Sequence, residues 1–358
     1  MAHGHPWWDQ RKDELIALAE KRSPCLVYNE ETLNDTLFDL LCIEAVERVF
    51  YPVRANPHPT ILEKAYRMGA GFTCLSGLEM DRLFGLFPDL SPDRILLVAD
   101  TQRAETLDRA FHSGVSVVLK SLDALWAWAD FLKGRDILVW VSSGDAHKKA
   151  DDARERSKPG VPLWDMDAFI ERAGALKSAV VGLYASLDWA RSGLEEWFSH
   201  CDGIWNRMEK ASIFVLAGLS VGRDLGGIDT AATAAIVEAL QERYHDAAIW
   251  LDPGSAILSQ AGGLLIKGRK IVRQNEGAFI ETDSEEKIII PWPGKGSPHD
   301  VVNLSRLEDR VEGKGDTRDV LLITNMGAPE MYSTAKTELR EAVSEHYLRA
   351  RRICQVKI

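Results

Sequence analysis

Eight short apolar runs, each followed by an amphipathic stretch, constrain this chain more than any other feature. They are Val49–Val53, Gly71–Cys74, Ile95–Ala99, Val115–Leu119, Ile137–Val141, Ala179–Tyr184, Ile213–Leu216 and Ala248–Leu251. Strands buried on both faces read as continuous apolar runs, whereas half-exposed strands alternate. Between the runs, apolar residues recur at helical spacing over Thr60–Met68, Leu78–Leu86, Leu122–Phe131, Met166–Leu176 and Thr230–Tyr244. Repeated strand–helix units of this kind predict an α/β fold closed into a (β/α)8 TIM-like barrel. A doubly wound open sheet is the alternative. No GxGxxG follows the first strand, which counts against it.

The flanks read differently. Residues 1–28 are expected to supply a helix and then an extended piece, Leu26–Tyr28, that joins a second domain. Helical periodicity runs from Glu31 to Val46. After Asp252 the pattern changes to an apolar stretch, Ala256–Ile266, and a basic one, Lys267–Arg273. Strands are then predicted at Phe279–Glu281, Lys287–Ile290, Val301–Leu304 and Asp319–Asn325, with a charged helix over Ser333–Arg351. The expected organisation is an N-terminal helix and strand over 1–28, a barrel over 29–258, and a mostly-β domain with a C-terminal helix over 259–358.

Composition narrows the function classes. The chain has 358 residues and a formal charge of −11. No basic stripe offsets that charge, so a nucleic-acid partner is not expected. The five cysteines are scattered and lack CxxC spacing, which fits a reduced, cytoplasmic protein. No apolar run is long enough for a membrane span, and Met1–Asp9 does not read as a secretory signal. No His/Cys/Asp cluster has metal-ligand spacing, so no metal is expected.

Several ordered motifs carry a resemblance. They are Pro6-Trp7-Trp8, then Phe50-Tyr51-Pro52-Val53-Arg54-Ala55-Asn56-Pro57-His58-Pro59, then Gly71-Phe72-Thr73-Cys74-Leu75-Ser76. Ser157-Lys158, Val181-Gly182-Leu183, Asp252-Pro253-Gly254 and Val302-Asn303-Leu304-Ser305-Arg306-Leu307 follow. Together they resemble the fold-type III, pyridoxal-phosphate-dependent decarboxylases of the diaminopimelate and ornithine decarboxylase family. The nearest likeness is to the decarboxylase part of bifunctional aspartate kinase–diaminopimelate decarboxylases. The resemblance implies an alanine racemase-like barrel plus a β-domain, a homodimer, and a small amino-acid-like substrate. It also implies pyridoxal phosphate held by a lysine.

The chain departs from the family at that cofactor site. The lysine of FYAVKANP is Arg54, and a guanidinium cannot serve as the amine nucleophile. The acid of GF(D/E)CxS is Thr73. The HxHxGS segment aligns with Tyr184-Ala185-Ser186-Leu187-Asp188-Trp189, which puts Ser186 where the family stacks a ring on the cofactor. EPGR becomes Asp252-Pro253-Gly254-Ser255, GAY becomes Gly327-Ala328-Pro329, and CESxD has no counterpart between Leu307 and Asp319. The expectation is therefore that no cofactor is used and that covalent binding of pyridoxal phosphate is lost.

Barrel sites lie at the C-terminal strand ends. Arg54 ends strand one and reads either as a carboxylate or phosphate clamp or as the partner of a buried acid such as Asp252. Asp252 ends strand eight and reads as a general acid or base, or as that partner. Lys120 ends strand four and is a candidate relocated amine, or a solvated loop lysine. Tyr184 and Ser186 end strand six and are candidate hydrogen-bonding groups, or packing. Asp100 reads as a helix cap, Cys74 as a buried thiol, and Asp145 with His147 as part of a polar loop. Three functions follow. The first is a diverged, pyridoxal-phosphate-independent homologue that binds or converts an amino-acid-like carboxylate. The second is a catalytically dead pseudo-decarboxylase acting as a binding or regulatory partner. The third is a pyridoxal-phosphate-dependent decarboxylase with a relocated lysine.

Overall fold

The computed structural model describes residues 6–99, 103–142, 160–186, 194–208, 210–217, 228–274, 277–282, 289–291, 300–305, 319–327, 344–349 and 352–355. The chain divides into two units. One is built from Met1–Thr36 and Ser255–Ile358, the other from Leu37–Leu219 and Ile228–Gly254. The barrel unit thus begins and ends a few residues inside the expected 29–258.

The first unit is a mostly antiparallel sheet. Its first strand, β1 (Cys25–Asn29), is buried at every position. The second unit contains β2 (Arg48–Pro52), β3 (Gly71–Cys74), β4 (Ile95–Ala99), β5 (Ser116–Leu119), β6 (Asp136–Val141), β7 (Ala179–Ser186), β8 (Ile213–Ala217) and β9 (Ala248–Asp252). These eight pair in parallel and in sequence order, and β9 closes on β2. All eight sit within two residues of the predicted runs. The reason is visible in β4, whose Ile-Leu-Leu-Val-Ala is buried on both faces: the interior takes one side and the helices the other.

Several helices around the barrel start on side-chain caps. Ser76, Ser121 and Asp229 accept hydrogen bonds from the N–H groups of Glu79, Ala124 and Ala232, respectively. Two helix predictions need correction. The Glu31–Val46 periodicity yields a helix only over Glu30–Leu41, because Glu47 N–H is already committed to Ile249 O at the barrel's edge. The chain must turn in between. The Leu122–Phe131 stretch splits into Leu122–Ala127 and Ala129–Leu132, since the buried Trp128 leaves the helical backbone region at φ −118°, ψ 22°.

The first unit continues with β10 (Gly262–Gln274), β11 (Gly277–Thr282), β12 (Ile289–Pro291), β13 (Val301–Asn303), β14 (Val320–Ile323), β15 (Ser344–Arg349) and β16 (Arg352–Gln355). The spatial order is β12-β11-β10-β1-β15-β16, with β14 also on β10 and β13 on β14. Leu15, Leu18, Val27, Leu265, Leu322 and Leu348 form part of its core. Residues 333–343 lie outside the described residues. The predicted charged helix Ser333–Arg351 is corrected over Ser344–Arg349, which is a strand, parallel to β1 and antiparallel to β16. Its charged and polar letters mislead because Glu345, His346, Tyr347 and Leu348 are all buried by that pairing. No described helix is long and apolar enough to cross a membrane.

Candidate functional site

Alternation along each strand selects the side chains that face the barrel interior, and the stagger between strands stacks them in layers drawn from alternate strands. Following the ladders around the barrel, Thr73 (β3), Val118 (β5), Tyr184 (β7) and Asp252 (β9) fall in one layer. Phe50, Leu96, Leu138 and Val215 lie on the N-terminal side of it. Val98, Trp140 and Ala217 lie on the C-terminal side. A polar layer is therefore set within an apolar stack.

Its centre is Asp252, which is only 3% exposed. Oδ2 accepts a hydrogen bond from the Thr73 hydroxyl at 2.7 Å and another from the Tyr184 hydroxyl at 2.7 Å. Oδ1 accepts the Gly254 N–H at 3.1 Å. That last bond needs a sharp turn, and Gly254 sits at φ +62°, where a side chain would be strained. A buried carboxylate without donors is costly, and these three bonds supply what a paired cation would otherwise supply. Among the described residues, the hydrogen bonds to Asp252 come from Thr73, Tyr184 and Gly254.

Tyr184 is fixed by its ring, which packs on Trp140 at 4.5 Å between centroids. Burial, followed by the neighbouring Asp252 carboxylate, pushes its phenol well above 10, and the charge of Arg54 opposes this. The phenol stays protonated and donates. Arg54 lies within electrostatic reach of this cluster, yet it is exposed. The turn that carries it is tied down on both sides: Val53 N–H donates to Thr73 O at 3.0 Å and Ala55 N–H to Pro52 O at 3.0 Å. Farther along, the buried Asn56 accepts His58 N–H, and His58 Nδ1 accepts Thr60 N–H, capping the next helix.

Lys120 is half-buried directly beyond β5, outside the hydrogen-bond shell of Asp252. Ser186 is the last residue of β7, its backbone paired with Ala217. Cys74 is buried, and burial pushes its thiol well up, so it is no thiolate nucleophile. Asp100, Asp145, His147 and Trp189 lie outside the described residues. Among the described residues there is no group of three or more His, Cys, Asp or Glu that could hold a metal. Sequence reasoning brought Asp252 and Tyr184 together at one end of the barrel. It missed Thr73, which it treated only as a lost acid. The available signal was a hydroxyl on the inward side of strand two, where β3 and β9 residues can meet across β2.

The fold is thus of the barrel-plus-β-domain class, a closed parallel eight-stranded barrel with an acid at the end of its last strand, joined to a separate sheet unit. The chain belongs to the pyridoxal-dependent decarboxylase family: the model of that family's pyridoxal binding domain matches residues 40–259. It is 23% identical to ornithine decarboxylase of Schizosaccharomyces pombe over 245 residues, covering 67% of this chain and 54% of that protein. It is 22% identical to diaminopimelate decarboxylase of Escherichia coli K12 over 317 residues, covering 83% and 74%. Among solved structures, a diaminopimelate decarboxylase superposes with a TM-score of 0.75 at 18% identity, covering 98% of this chain and 96% of that one. The Helicobacter pylori diaminopimelate decarboxylase complexed with L-lysine superposes at 0.71 and 16% identity, covering 96% and 95%.

The family match overturns the expectation of no cofactor, because the matched region is the pyridoxal-binding domain itself and the family's members depend on pyridoxal. The residues present fit the ring of that group. A carboxylate offers about four lone-pair sites, and among the described residues three on Asp252 are used, which leaves one on Oδ1 of the kind a pyridinium N–H would need. They do not fit the usual anchorage, since residue 54 brings a guanidinium where the family has an amine.

Proposed function

We propose that this chain binds an amino-acid-like carboxylate at the C-terminal end of its barrel. The observation that carries this reading is a pair of opposite charges at two depths. Arg54 is exposed at the end of strand one, while Asp252 is buried in the layer beneath. A ligand with an anionic group and a cationic N–H is then oriented with its N–H inward and its anion outward. Arg54 clamps the anion in bidentate fashion, and Asp252 accepts the N–H. The Helicobacter pylori relative, whose structure holds L-lysine, supports this class of ligand. If pyridoxal phosphate occupies this end of the barrel, Asp252 would instead hold its ring nitrogen, and the group would supply an electron sink. A homodimer remains part of this reading.

A thermal-shift and calorimetric panel of amino acids and dicarboxylates, with and without pyridoxal phosphate, tests it. A true ligand at a hundredfold excess over its Kd stabilises the fold by about 2.7 kcal/mol. Arg54→Ala is expected to abolish that shift, with urea unfolding of the unliganded variant as the control for its fold. No shift with any member of the panel would refute the reading, and binding without turnover would identify a binding or regulatory protein.

Lys120 supports a second reading, a relocated amine. It is half-buried and is the residue that directly follows a barrel strand as a lysine. Borohydride reduction in the presence of pyridoxal phosphate, followed by peptide mass mapping, would mark residue 120. An unlabelled chain would refute it.

A further inference from the structure

The hydroxyls on Asp252 come from a symmetrical arrangement. Going around the barrel, β9 is flanked by β2 and β8. Thr73 and Tyr184 stand on the next strand out on each side, β3 and β7, and both reach the same oxygen. We propose that Thr73 and Tyr184 are positioning residues: together they occupy Oδ2 of Asp252 and turn Oδ1, with its one remaining lone pair, toward the N–H of a bound ligand. The inference deepens the reading of this end of the barrel as a ligand site and rests on it.

Three observations carry it. A carboxylate oxygen has two good acceptor directions, and both on Oδ2 are used, at 2.7 Å each. Among the described residues, Oδ1 takes only the Gly254 N–H, from the backbone turn just beyond the strand. Rotation of the carboxylate about its own axis would break two hydroxyl bonds at once, and the Tyr184 ring is held against Trp140. The orientation of the acid is thus set before any ligand arrives, which is the condition for strong discrimination at a buried polar group. The consequence is specificity for a ligand that offers an N–H to the buried layer, against an isostere with C–H there. Thr73 and Tyr184 act through Asp252 and touch no ligand in this account.

The test compares pyridoxal 5′-phosphate with its 1-deaza analogue, in which C–H replaces the ring nitrogen, by calorimetric binding to the full chain. Wild type is expected to prefer the nitrogen compound by about tenfold or more, the size of a charge-assisted hydrogen bond. Tyr184→Phe and Thr73→Val are expected to shrink that preference to about threefold or less. Thr73→Ser, which keeps the hydroxyl, is expected to retain it. A purely structural role would weaken both probes alike and leave the ratio untouched, and an unchanged ratio in both variants overturns the proposal. Equal binding of the two probes by wild type also overturns it, with the ligand site left standing. Failure of wild type to bind either probe overturns the proposal, and the amino-acid panel above then decides separately whether the ligand site stands. Urea unfolding of each variant shows that it is folded, and Thr73→Ser keeps the comparison open if Thr73→Val is not.

Discussion

Removing the Tyr184 hydroxyl is the most direct test of the polar layer's contribution to stability. Tyr184→Phe keeps the ring on Trp140 and deletes one 2.7 Å bond to a carboxylate that is 3% exposed. The phenylalanine leaves no orphaned donor, so the loss is that of one hydrogen bond to a charged group, about 1.5–3 kcal/mol. Asp252 keeps the Thr73 and Gly254 bonds, so the cost should stay within that range. Thr73→Val should cost about the same for the same reason. The two hydroxyls share one acceptor oxygen, so the double variant should not be additive. Its coupling energy should fall at about 0.5–3 kcal/mol, because it strips Oδ2 of both donors. Urea denaturation followed by tryptophan fluorescence measures all three, with Trp140 beside the mutated ring as a reporter. In a unit of this size each kcal/mol is worth roughly 2–4 °C in Tm. A Tyr184→Phe cost below about 0.5 kcal/mol, or strict additivity in the double variant, would show that the shared-oxygen geometry does not exist in solution.

Stability should also fall in acid. Burial lowers His58 to about 4 and lowers His346 as well, with Arg82 and Arg22 adding to the respective shifts. The unfolded chain then binds protons that the folded one refuses, so the stabilisation is present above about 6.5 and is lost as pH falls toward 4. The slope reaches about 1.4 kcal/mol per pH unit per proton, and His58→Gln should flatten it; equal urea midpoints at pH 7 and pH 5 would contradict this. Two glycines should respond in opposite senses. A Cβ at Gly182 would meet Ile213 O at 2.6 Å, so Gly182→Ala should prevent closure of β7 on β8. A Cβ at Gly174, in the helix Met166–Ala175, meets nothing within 4 Å, so Gly174→Ala should stabilise by about 0.5–1 kcal/mol. Circular dichroism melts of the pair would separate them. Thiol labelling of the folded chain should mark Cys42, which is exposed, long before Cys25, Cys74 or Cys201. Those three are buried, and burial raises the Cys25 thiol to about 12. Labelling of all four at one rate would contradict the burial.

Much of the barrel was legible in the sequence because a parallel strand buried on both faces has little choice of residue. Ile95–Ala99 is five apolar residues with nothing to alternate against, and its ends coincide with β4. Residue 54 was equally legible: an arginine replaces an amine whatever the fold does around it. The sequence failed where the environment of a residue comes from distant chain. Ser344–Arg349 has the letters of a solvated helix, and it becomes a strand because β1, from near the other end of the chain, offers it a ladder. The cofactor expectation failed for a different reason. It took the loss of individual contacts as loss of the whole group, while the barrel domain remains recognisably a pyridoxal-binding one.

Local chemistry alone therefore determined the number, order and approximate ends of the barrel strands, and which residues of the family's pattern are replaced. Only the tertiary structure decided that Thr73, Tyr184 and Asp252 share one layer. Alternation along a strand says which residues face inward, but the stagger of eight strands around a closed barrel sets which inward residues stand at the same height. That stagger is a property of the closed sheet as a whole, fixed by packing from every strand at once, and no single segment encodes it.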